Sequence, residues 1–348
     1  MRKLASIQIV KDITPIEGAD KIELAHILGW QCVVGKGDLH PSDMVVYFEV
    51  DSFLPVRDEF EILRKNSYKE NEYMGKGFKL RTMKFKGEIS QGLCLPVSLF
   101  PEFKDKDVTE GEDVTEILNI KEWQIPERVS VSGTLKGKRP SYIPKTDETR
   151  IQSCPELLNE FKGLPYYITT KMDGSSHSLG VINDEVSFTG HNFEFKDDGS
   201  SAFAEYCKKY DFQNKIREYC KENNLQSLVL QGEWCAPGIQ KNRLKLDRPE
   251  WFVFTVDING KRVGLDKLKE ICAYVGCNMV PVEETGNDLP SVYPTIEDLL
   301  KRAEGIGYNN TTREGIVIRP VEPIFSKTLG SSLSMKVINN KYLMKNED

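Results

Sequence analysis

The sequence has few histidines, no closely paired cysteines and no long apolar run. Only 4 histidines occur in 348 residues, and none of the 8 cysteines forms a Cys-x-x-Cys pair, so a zinc site is not expected. Scattered cysteines in a chain of this length favour buried thiols in a reducing compartment over a disulfide framework. No apolar run reaches roughly 18 residues, and the start lacks an apolar signal segment. We therefore expect a soluble, intracellular protein, cytoplasmic or nuclear, without membrane attachment.

The sequence also lacks an excess of positive charge. Lys and Arg number 47 against 53 Asp and Glu, which gives a net charge of −6. Binding to nucleic acid by bulk electrostatics alone is therefore not expected, whereas a local basic groove is compatible with this charge. The length exceeds the size at which one core usually stops growing, so we expect two domains.

Short alternating segments fill residues 1–125, at 4–10, 21–25, 31–34 and 44–50. Turn-forming Gly, Asp and Pro residues separate them, and this spacing predicts a five-stranded OB-type β-barrel with one helix near 57–64. A basic hairpin or strand at 78–86 could follow a phosphate backbone, as OB folds do. An ordinary solvated strand face explains its cations equally well. Those cations are Lys79, Arg81, Lys84 and Lys86.

Residues 126–149 are predicted to be a linker, because three prolines and a Gly/Ser-rich middle accompany the basic run 136–139. The remainder, 150–348, mixes helical and strand patterns. The predicted fold class is therefore α+β, with the barrel followed by a second domain built on a sheet. Arg150, at the start of that domain, has a capping or surface role by default.

The first candidate for chemistry is Lys171. The aromatic and β-branched run 166–170 predicts a strand that delivers it to a buried edge, and Gly174 would then turn the chain. A lysine attacks phosphorus only as a neutral amine, so its pKa must fall from about 10.4. Asp173 could hold a divalent metal beside the attacked phosphate. A tight surface turn is the alternative, and Lys-x-Asp-Gly alone is a weak signal.

Further charged groups follow at the edges of probable strands. Glu233 closes the apolar strand 227–234, Glu314 precedes the β-branched run 315–319, and Lys336 belongs to a final strand. For Glu233 a buried salt bridge is the plain alternative to a metal or a ribose hydroxyl. Three carboxylates and two lysines that converge on one pocket suit metal-assisted nucleotidyl transfer.

In this order the chain resembles the covalent nucleotidyltransferases, which include RNA ligases, DNA ligases and capping guanylyltransferases. The β domain comes first, and the twelve residues after Lys336 cannot make the terminal OB domain of DNA ligases and capping enzymes. With the segments 143–150 and 334–340, this arrangement resembles the Naegleria and Deinococcus type of ATP-dependent RNA ligase over nearly the whole chain. The matching motifs are 171–174, 190–192, 231–233, 252–258, 314–317 and 334–336.

The resemblance implies an antiparallel-sheet nucleotidyltransferase domain, ATP-grasp-like, that uses ATP with Mg²⁺ or Mn²⁺. It implies that the enzyme joins 3′-hydroxyl and 5′-phosphate RNA ends through a lysyl-AMP intermediate and an adenylylated 5′ end. Lys171 takes AMP, Lys336 contacts the α-phosphate, and Arg150 grips the leaving pyrophosphate. The metal-bound waters are ordered by Asp173, Glu233 and Glu314. Nucleotide contacts fall to Thr170, Ser176, His191, Asn192, Val317 and one of Phe252 and Phe254, with Phe254 preferred.

Two positions depart from the pattern, since related ligases often carry arginine where His191 stands and Lys-x-Lys where Ser334-Met335-Lys336 stands. We expect RNA ends in a nicked duplex as the partner, and a monomer. A capping-type guanylyltransferase is the alternative enzyme. A non-catalytic OB-fold RNA-binding protein is the alternative of another class, but such a binder has no use for a buried lysine among acids.

Overall fold

The structure is a computed structural model that describes residues 2–123 and 133–346. The chain divides into two compact units. The first consists of Met1–Pro126 with Gln152–Pro155 and Leu343–Asp348, and the second of Glu127–Ile151 with Glu156–Tyr342. No helix within the described ranges is long and apolar enough to cross a membrane.

The first unit is built from short strands, as the alternating segments predict. Helix α1 is Arg64–Ser67, and it follows a 3-10 turn at Asp58–Leu63, where the sequence predicts a helix. Two further 3-10 turns lie at Val97–Leu99 and Pro101–Phe103. The strands are β1 Ala5–Ile9, β2 Asp12–Pro15, β3 Ile22–Ile27, β4 Trp30–Gly35, β5 Met44–Phe48, β6 Ser52–Pro55, β7 Tyr68–Asn71, β8 Gly75–Lys79, β9 Met83–Phe85, β10 Glu88–Ser90, β11 Leu93–Pro96 and β12 Lys121–Glu122.

These strands pair in the orders β1-β5-β11, β2-β3-β4, β12-β6-β8-β7 and β9-β10. Residues of β4 alternate between buried and partly exposed, which places one face of the strand in the core. Two apolar clusters fill this unit, one around Phe48 and Phe60 and the other around Trp30 and Tyr47. The packing of large aromatic side chains lets a small barrel bury a substantial core.

The prediction of one basic hairpin or strand at 78–86 is wrong in its extent. Strand β8 ends at Lys79, and the chain leaves its sheet while Leu80 and Thr82 are buried. A second strand, β9, then pairs with β10. The buried Leu80 and Thr82 lie between β8 and β9, so the four cations of this stretch do not lie along one continuous strand.

The second unit is built from two main antiparallel sheets, with helices on the larger one, and a short two-stranded sheet. Its strands are β13 Leu135–Lys138, β14 Tyr166–Lys171, β15 Ser175–Ile182, β16 Glu185–Thr189, β17 Phe193–Phe195, β18 Ser227–Cys235, β19 Glu250–Ile258, β20 Lys261–Arg262, β21 Asn278–Met279, β22 Val282–Gly286, β23 Gly315–Pro320, β24 Phe325–Ser326, β25 Ser331–Ser332 and β26 Met335–Ile338. Its helices are α2 Leu157–Glu160, α3 Ala202–Lys209, α4 Phe212–Glu222, α5 Leu265–Val275, α6 Leu289–Val292, α7 Ile296–Ala303 and α8 Asn340–Asn346, with 3-10 turns at Ile151–Ser153, Gln240–Asn242 and Tyr308–Asn310.

The larger sheet has the order β13-β17-β16-β15-β18-β19-β20, and β21 adds a parallel pairing to β19. The smaller sheet has the order β22-β14-β23-β26. Apolar side chains of α3, α4 and α5 pack on the larger sheet in one cluster, represented by Phe203, Ile216, Leu268 and Trp251. Thr295 is the N-cap of α7 and forms a capping box with Asp298.

Part of the predicted linker is wrong. Residues 135–138 form strand β13, which pairs with β17 at the edge of the larger sheet. Ile143 is buried, and Arg139 donates to the carbonyls of Ile143, Pro144 and Gly190 and to the Ser178 hydroxyl. These contacts make the segment 133–149 part of the second unit. The rest of that linker, 126–132, lies outside the described residues.

Candidate active site

Lys171 ends strand β14, which lies between β22 and β23 in the smaller sheet. The preceding residues, Tyr166–Thr170, are all buried, as the aromatic and β-branched run predicts. Gly174 follows at a close approach of the chain to β18. A Cβ there would lie 2.5 Å from the Trp234 carbonyl oxygen and 2.7 Å from Cys235 Sγ. Only glycine fits this position, and the turn brings β15 back beside β18.

Three carboxylates surround the lysine, as predicted. Lys171 Nζ donates to Glu314 Oε1 at 2.7 Å. Glu233 lies on β18, and its Oε1 accepts from the Gly174 amide at 3.1 Å. The charges of Glu314, Glu233 and Asp173 all act on the pKa of Lys171. The structure therefore brings the lysine and the three acids together from three separate stretches of sequence.

The expected fall of the Lys171 pKa is contradicted in this state of the protein. Burial acts to lower it, but the charges of Glu314, Glu233 and Asp173 outweigh burial, and the pKa lies above its usual value. Burial in turn raises the pKa of Glu233 to about 7, against the opposing charge of Lys171. The pKa of Glu314 is also raised by burial. The amine is therefore a charged ammonium as long as nothing else offsets the carboxylates.

A cavity of about 170 Å³ opens beside Lys171 between the two sheets. Phe254 and Val317 belong to its wall, and their contact with a nucleotide base stays a prediction. Phe252 does not belong to the wall: it is buried and packs edge-to-face on Tyr308, with ring centroids 4.9 Å apart. The cavity is lined by Thr146, Asp147, Glu148, Thr169, Thr170, Lys171, Met172, Ser176, Glu233, Phe254, Val280, Val317, Arg319 and Lys336.

Thr170 and Ser176 also line the cavity, but both hydroxyls already have partners. Thr170 Oγ1 donates to Glu283 Oε1, and the other oxygen of Glu283 accepts from Arg313 at 3.1 Å. Ser176 shares a 3.0 Å hydrogen bond with Thr146. Thr170 therefore directs its only hydroxyl proton to a carboxylate that is paired with the buried Arg313.

His191 and Asn192 do not reach the cavity wall. His191 Nε2 lies 3.7 Å from Asp147 Oδ2, and Asn192 Oδ1 accepts from Lys145 at 3.0 Å. Both side chains contact the segment 145–147, whose other side lines the cavity. In this structure they contact the segment beside the cavity and are not among the residues that line it.

Lys336 lines the cavity, and its charge acts on the pKa of Glu314. Its role at the α-phosphate stays a prediction. The backbone amide of Lys336 donates to the Thr149 carbonyl at 2.8 Å. Arg150 and Lys336 form an isolated parallel β-bridge. Arg150 itself is outside the residues that line the cavity. Ser334, the position that departs from related ligases, donates to Glu148, which is paired with Arg319 at 2.5 Å.

The acids suit a divalent cation held through water. Glu314 Oε2 is buried and has no hydrogen-bond partner within the described ranges, so it leaves one acceptor for a further donor. The described part of the chain holds no group of three acidic, cysteine or histidine side chains placed to ligate an ion directly. Carboxylates that order the waters of a hydrated cation need no such cluster. Mg²⁺ usually keeps several of its waters when it binds.

Sequence reasoning missed several residues at this site. Glu148 and Arg319 form an ion pair on the cavity wall, although Glu148 falls within the segment 143–150 and Arg319 ends the β-branched run 315–319. Arg243 and Tyr342 contact Asp173 from outside every motif. A charged residue at the end of a buried strand could have identified Arg319, whereas nothing in the local pattern marks Arg243 or Tyr342.

Two family models match the chain. Residues 4–97 match an OB-fold domain, and residues 164–338 match RNA ligase. No relative was found among curated protein sequences.

Solved structures of Naegleria gruberi RNA ligase are similar over the whole length. Its complex with pyrophosphate is 32% identical, with a TM-score of 0.87 and coverage of 100% of both chains. A variant with AMP and manganese is 31% identical, with a TM-score of 0.88 and the same coverage. A nucleotide-free variant is 31% identical, with a TM-score of 0.89, over 100% of this chain and 99% of that one.

Proposed function

The chain belongs to the RNA ligase family as an ATP-dependent RNA ligase with an amino-terminal OB fold, and we propose that it joins 3′-hydroxyl to 5′-phosphate RNA ends through lysyl-AMP at Lys171. The observation that carries this proposal is the contact of Lys171 Nζ with Glu314 at 2.7 Å on the wall of the cavity. A lysine held there among three acids has the surroundings that covalent nucleotidyl transfer needs.

In the proposed first step, the Lys171 amine attacks the α-phosphorus of ATP. A nitrogen–phosphorus bond forms, the bond from that phosphorus to the bridging oxygen breaks, and pyrophosphate leaves. The amine must first lose a proton, and Glu314 Oε1 is an acceptor within hydrogen-bond distance of it. A bound Mg²⁺ or Mn²⁺ would offset the negative charge of the three carboxylates, so that burial lowers the pKa of Lys171.

The nucleotide would lie along the cavity, with its base between Phe254 and Val317. Lys336 would contact the α-phosphate, and Arg150 the leaving pyrophosphate. Asp173, Glu233 and Glu314 would order the waters of the cation. An aromatic face suits stacking on a base, which is worth about 1–3 kcal/mol.

The second and third proposed steps use the same residues. The RNA 5′-phosphate attacks the lysyl-AMP phosphorus and releases Lys171. The RNA 3′-hydroxyl then attacks the 5′-phosphate phosphorus, forms the phosphodiester and expels AMP. Because Lys336 carries positive charge on the wall throughout, it can stabilise the charge that develops in each step.

We further propose that residues 1–125 form the OB domain that grips a nicked duplex, and that 150–348, extended by 133–149, carry out the chemistry. Lys84 and Lys86 are exposed in the first unit and are candidates for phosphate contact. We also propose that the protein acts as a monomer. All eight cysteines are free thiols, which suits a reducing intracellular compartment.

Covalent labelling tests this function. The protein is incubated with ATP or GTP labelled at the α-phosphorus, with Mn²⁺, and then separated on a denaturing gel. We expect a label from ATP only, together with sealing of a nicked RNA duplex. A label from GTP only would support a capping-type guanylyltransferase. No label with retained RNA binding would support a non-catalytic RNA-binding protein.

A further inference from the structure

Asp173 is held by two side chains that lie outside every motif described above. Tyr342 Oη donates to Asp173 Oδ2. Arg243 Nη1 lies 3.2 Å from the same carboxylate oxygen and 3.2 Å from Tyr342 Oη. The guanidinium carbon is 5.8 Å from the centroid of the Tyr342 ring. The three side chains form a closed triangle around one oxygen of the carboxylate.

The two carboxylate oxygens of Asp173 have different hydrogen-bond partners in this triangle. Within the described ranges, Oδ2 receives both hydrogen bonds, whereas Oδ1 has only a 3.5 Å contact with Arg243. The Asp173 side chain is 8% exposed, so bulk water has little access to its carboxylate. A carboxylate offers about four acceptor sites over its two oxygens. Oδ1 is therefore the oxygen that keeps acceptor capacity for a further partner.

Arg243 is presented by a loop in an unfavourable backbone conformation. The 3-10 turn Gln240–Asn242 before it has three consecutive non-glycine residues at φ of 47°, 56° and 48°. Such residues persist only where the surroundings hold them, and they cluster at functional sites. Asn242 bonds both the amide and the carbonyl of Leu246 at 2.9 Å, and Asn309 donates to two carbonyls that follow Arg243. The loop therefore fixes the position of Arg243.

The start of α8 fixes the position of Tyr342. Asn339 Oδ1 accepts from the Lys341 amide at 2.9 Å, and its Nδ2 donates to the Arg313 carbonyl at 2.8 Å. The Asn339 amide also donates to the Glu314 carbonyl at 2.9 Å. One asparagine thus joins the backbone that carries Glu314 to the helix that carries Tyr342. The orientation of Asp173 is coupled in this way to the position of a second acid of the site.

We infer that Arg243 and Tyr342 are positioning residues for Asp173, which they hold so that Oδ1 can order the waters of the divalent cation. This inference rests on the proposed ligase function. An ordinary stabilising contact would change the free energy of unfolding and leave the cation requirement unchanged. A positioning contact instead changes how tightly the cation is held, because a carboxylate without its partners samples other rotamers.

The test removes only the Tyr342 hydroxyl. Tyr342→Phe is compared with Tyr274→Phe, which loses a hydrogen bond to Glu222 at 2.9 Å on the surface. Binding of Mn²⁺ in the presence of ATP is measured by electron paramagnetic resonance in the Lys171→Met background, which is expected to have no turnover. We expect Tyr342→Phe to weaken Mn²⁺ binding about tenfold, with no change in Tyr274→Phe. Arg243→Gln should give a loss in the same direction.

A double-variant cycle shows whether the effect passes through Asp173. In Asp173→Ala, the addition of Tyr342→Phe should weaken Mn²⁺ binding no further. An equal further loss in that background, or unchanged binding in both Tyr342→Phe and Arg243→Gln, would overturn the inference. Labelling of the wild type with ATP is read separately. If the wild type takes no label, the ligase function fails. If it takes the label while the variants bind Mn²⁺ normally, only the positioning role fails.

Discussion

Lys171 and Glu314 are hydrogen-bonded at 2.7 Å across the paired strands β14 and β23, and Glu314 Oε2 has no partner in the described part of the chain. The proposed nucleophile is therefore held as a charged ammonium by an acid with spare acceptor capacity. In the proposed mechanism, the lysine would stay unreactive until its carboxylate neighbours are neutralised. Activation of the nucleophile and loading of the site with cation and nucleotide are expected to be one coupled event.

Removal of the cation should abolish lysine adenylylation. With excess EDTA, the carboxylates keep the pKa of Lys171 raised, and a protonated amine cannot attack phosphorus. The label transferred from ATP should vanish and return when Mn²⁺ is added in excess. A label that persists in EDTA would contradict the coupled activation.

Lys171→Met and Glu314→Ala should separate the steps of ligation. RNA that already carries a 5′ adenylate needs no lysine nucleophile, so Lys171→Met should still seal it. Glu314→Ala should fail to seal it, because we propose that this acid serves every step. Sealing of a nicked duplex with a pre-adenylylated end measures both. Normal sealing by Glu314→Ala would remove Glu314 from the shared site.

Phe254→Ala and Phe252→Ala should have different effects, although the two rings are two residues apart on one strand. Phe254 lines the cavity, so its loss should raise the KM for ATP about tenfold through lost stacking. Phe252 is buried against Tyr308, so its loss should lower the free energy of unfolding by about 3–5 kcal/mol. Kinetics and denaturant unfolding of both variants check this. A rise in KM in Phe252→Ala alone would reverse the assignment.

His177 should make the protein sensitive to acid. Burial lowers its pKa to about 4 from a usual value of 6.5. Above pH 6.5 the ring is neutral in both the folded and the unfolded state, so the free energy of unfolding keeps its full value. As the pH falls from 6.5 to 4, the unfolded state binds a proton that the folded state does not bind, and the free energy of unfolding decreases. The loss amounts to about 3 kcal/mol.

Denaturant unfolding between pH 8 and 4 measures this effect in His177→Gln and in His40→Gln, whose ring is exposed. The acid sensitivity of the wild type should shrink in His177→Gln and stay in His40→Gln. An equal pH slope in all three proteins would show that His177 does not titrate as a buried group.

Charge reversal at Lys84 and Lys86 should weaken RNA binding without an effect on lysine adenylylation. If each lysine contacts one phosphate, the slope of log affinity against log salt should fall by about 2. Charge reversal at Lys104 and Lys106 is the control, because these lysines are also exposed in the first unit and the net charge changes by the same amount. An unchanged slope in the first pair would show that these lysines do not contact the RNA backbone.

The fold could be predicted from the sequence because the patterns that indicate it are readable along the chain. Alternation in the first unit predicted the OB fold, and the order of Lys171, Glu233, Glu314 and Lys336 predicted the ligase domain; the matches to an OB-fold domain and to RNA ligase confirm both. Strand β13 escaped prediction because a Gly-containing, lysine-rich stretch forms a strand only through its pairing with β17. Arg243 and Tyr342 escaped because their meeting at Asp173 is a purely tertiary event.

The identity of the residue that receives AMP tests the account most directly. The wild type is incubated with ATP and Mn²⁺, digested, and analysed by mass spectrometry for a peptide that carries AMP. The account predicts the adduct on Lys171, its absence from Lys171→Met, and no adduct on Lys336. An AMP adduct on any other residue, or an undiminished adduct in Lys171→Met, would contradict it.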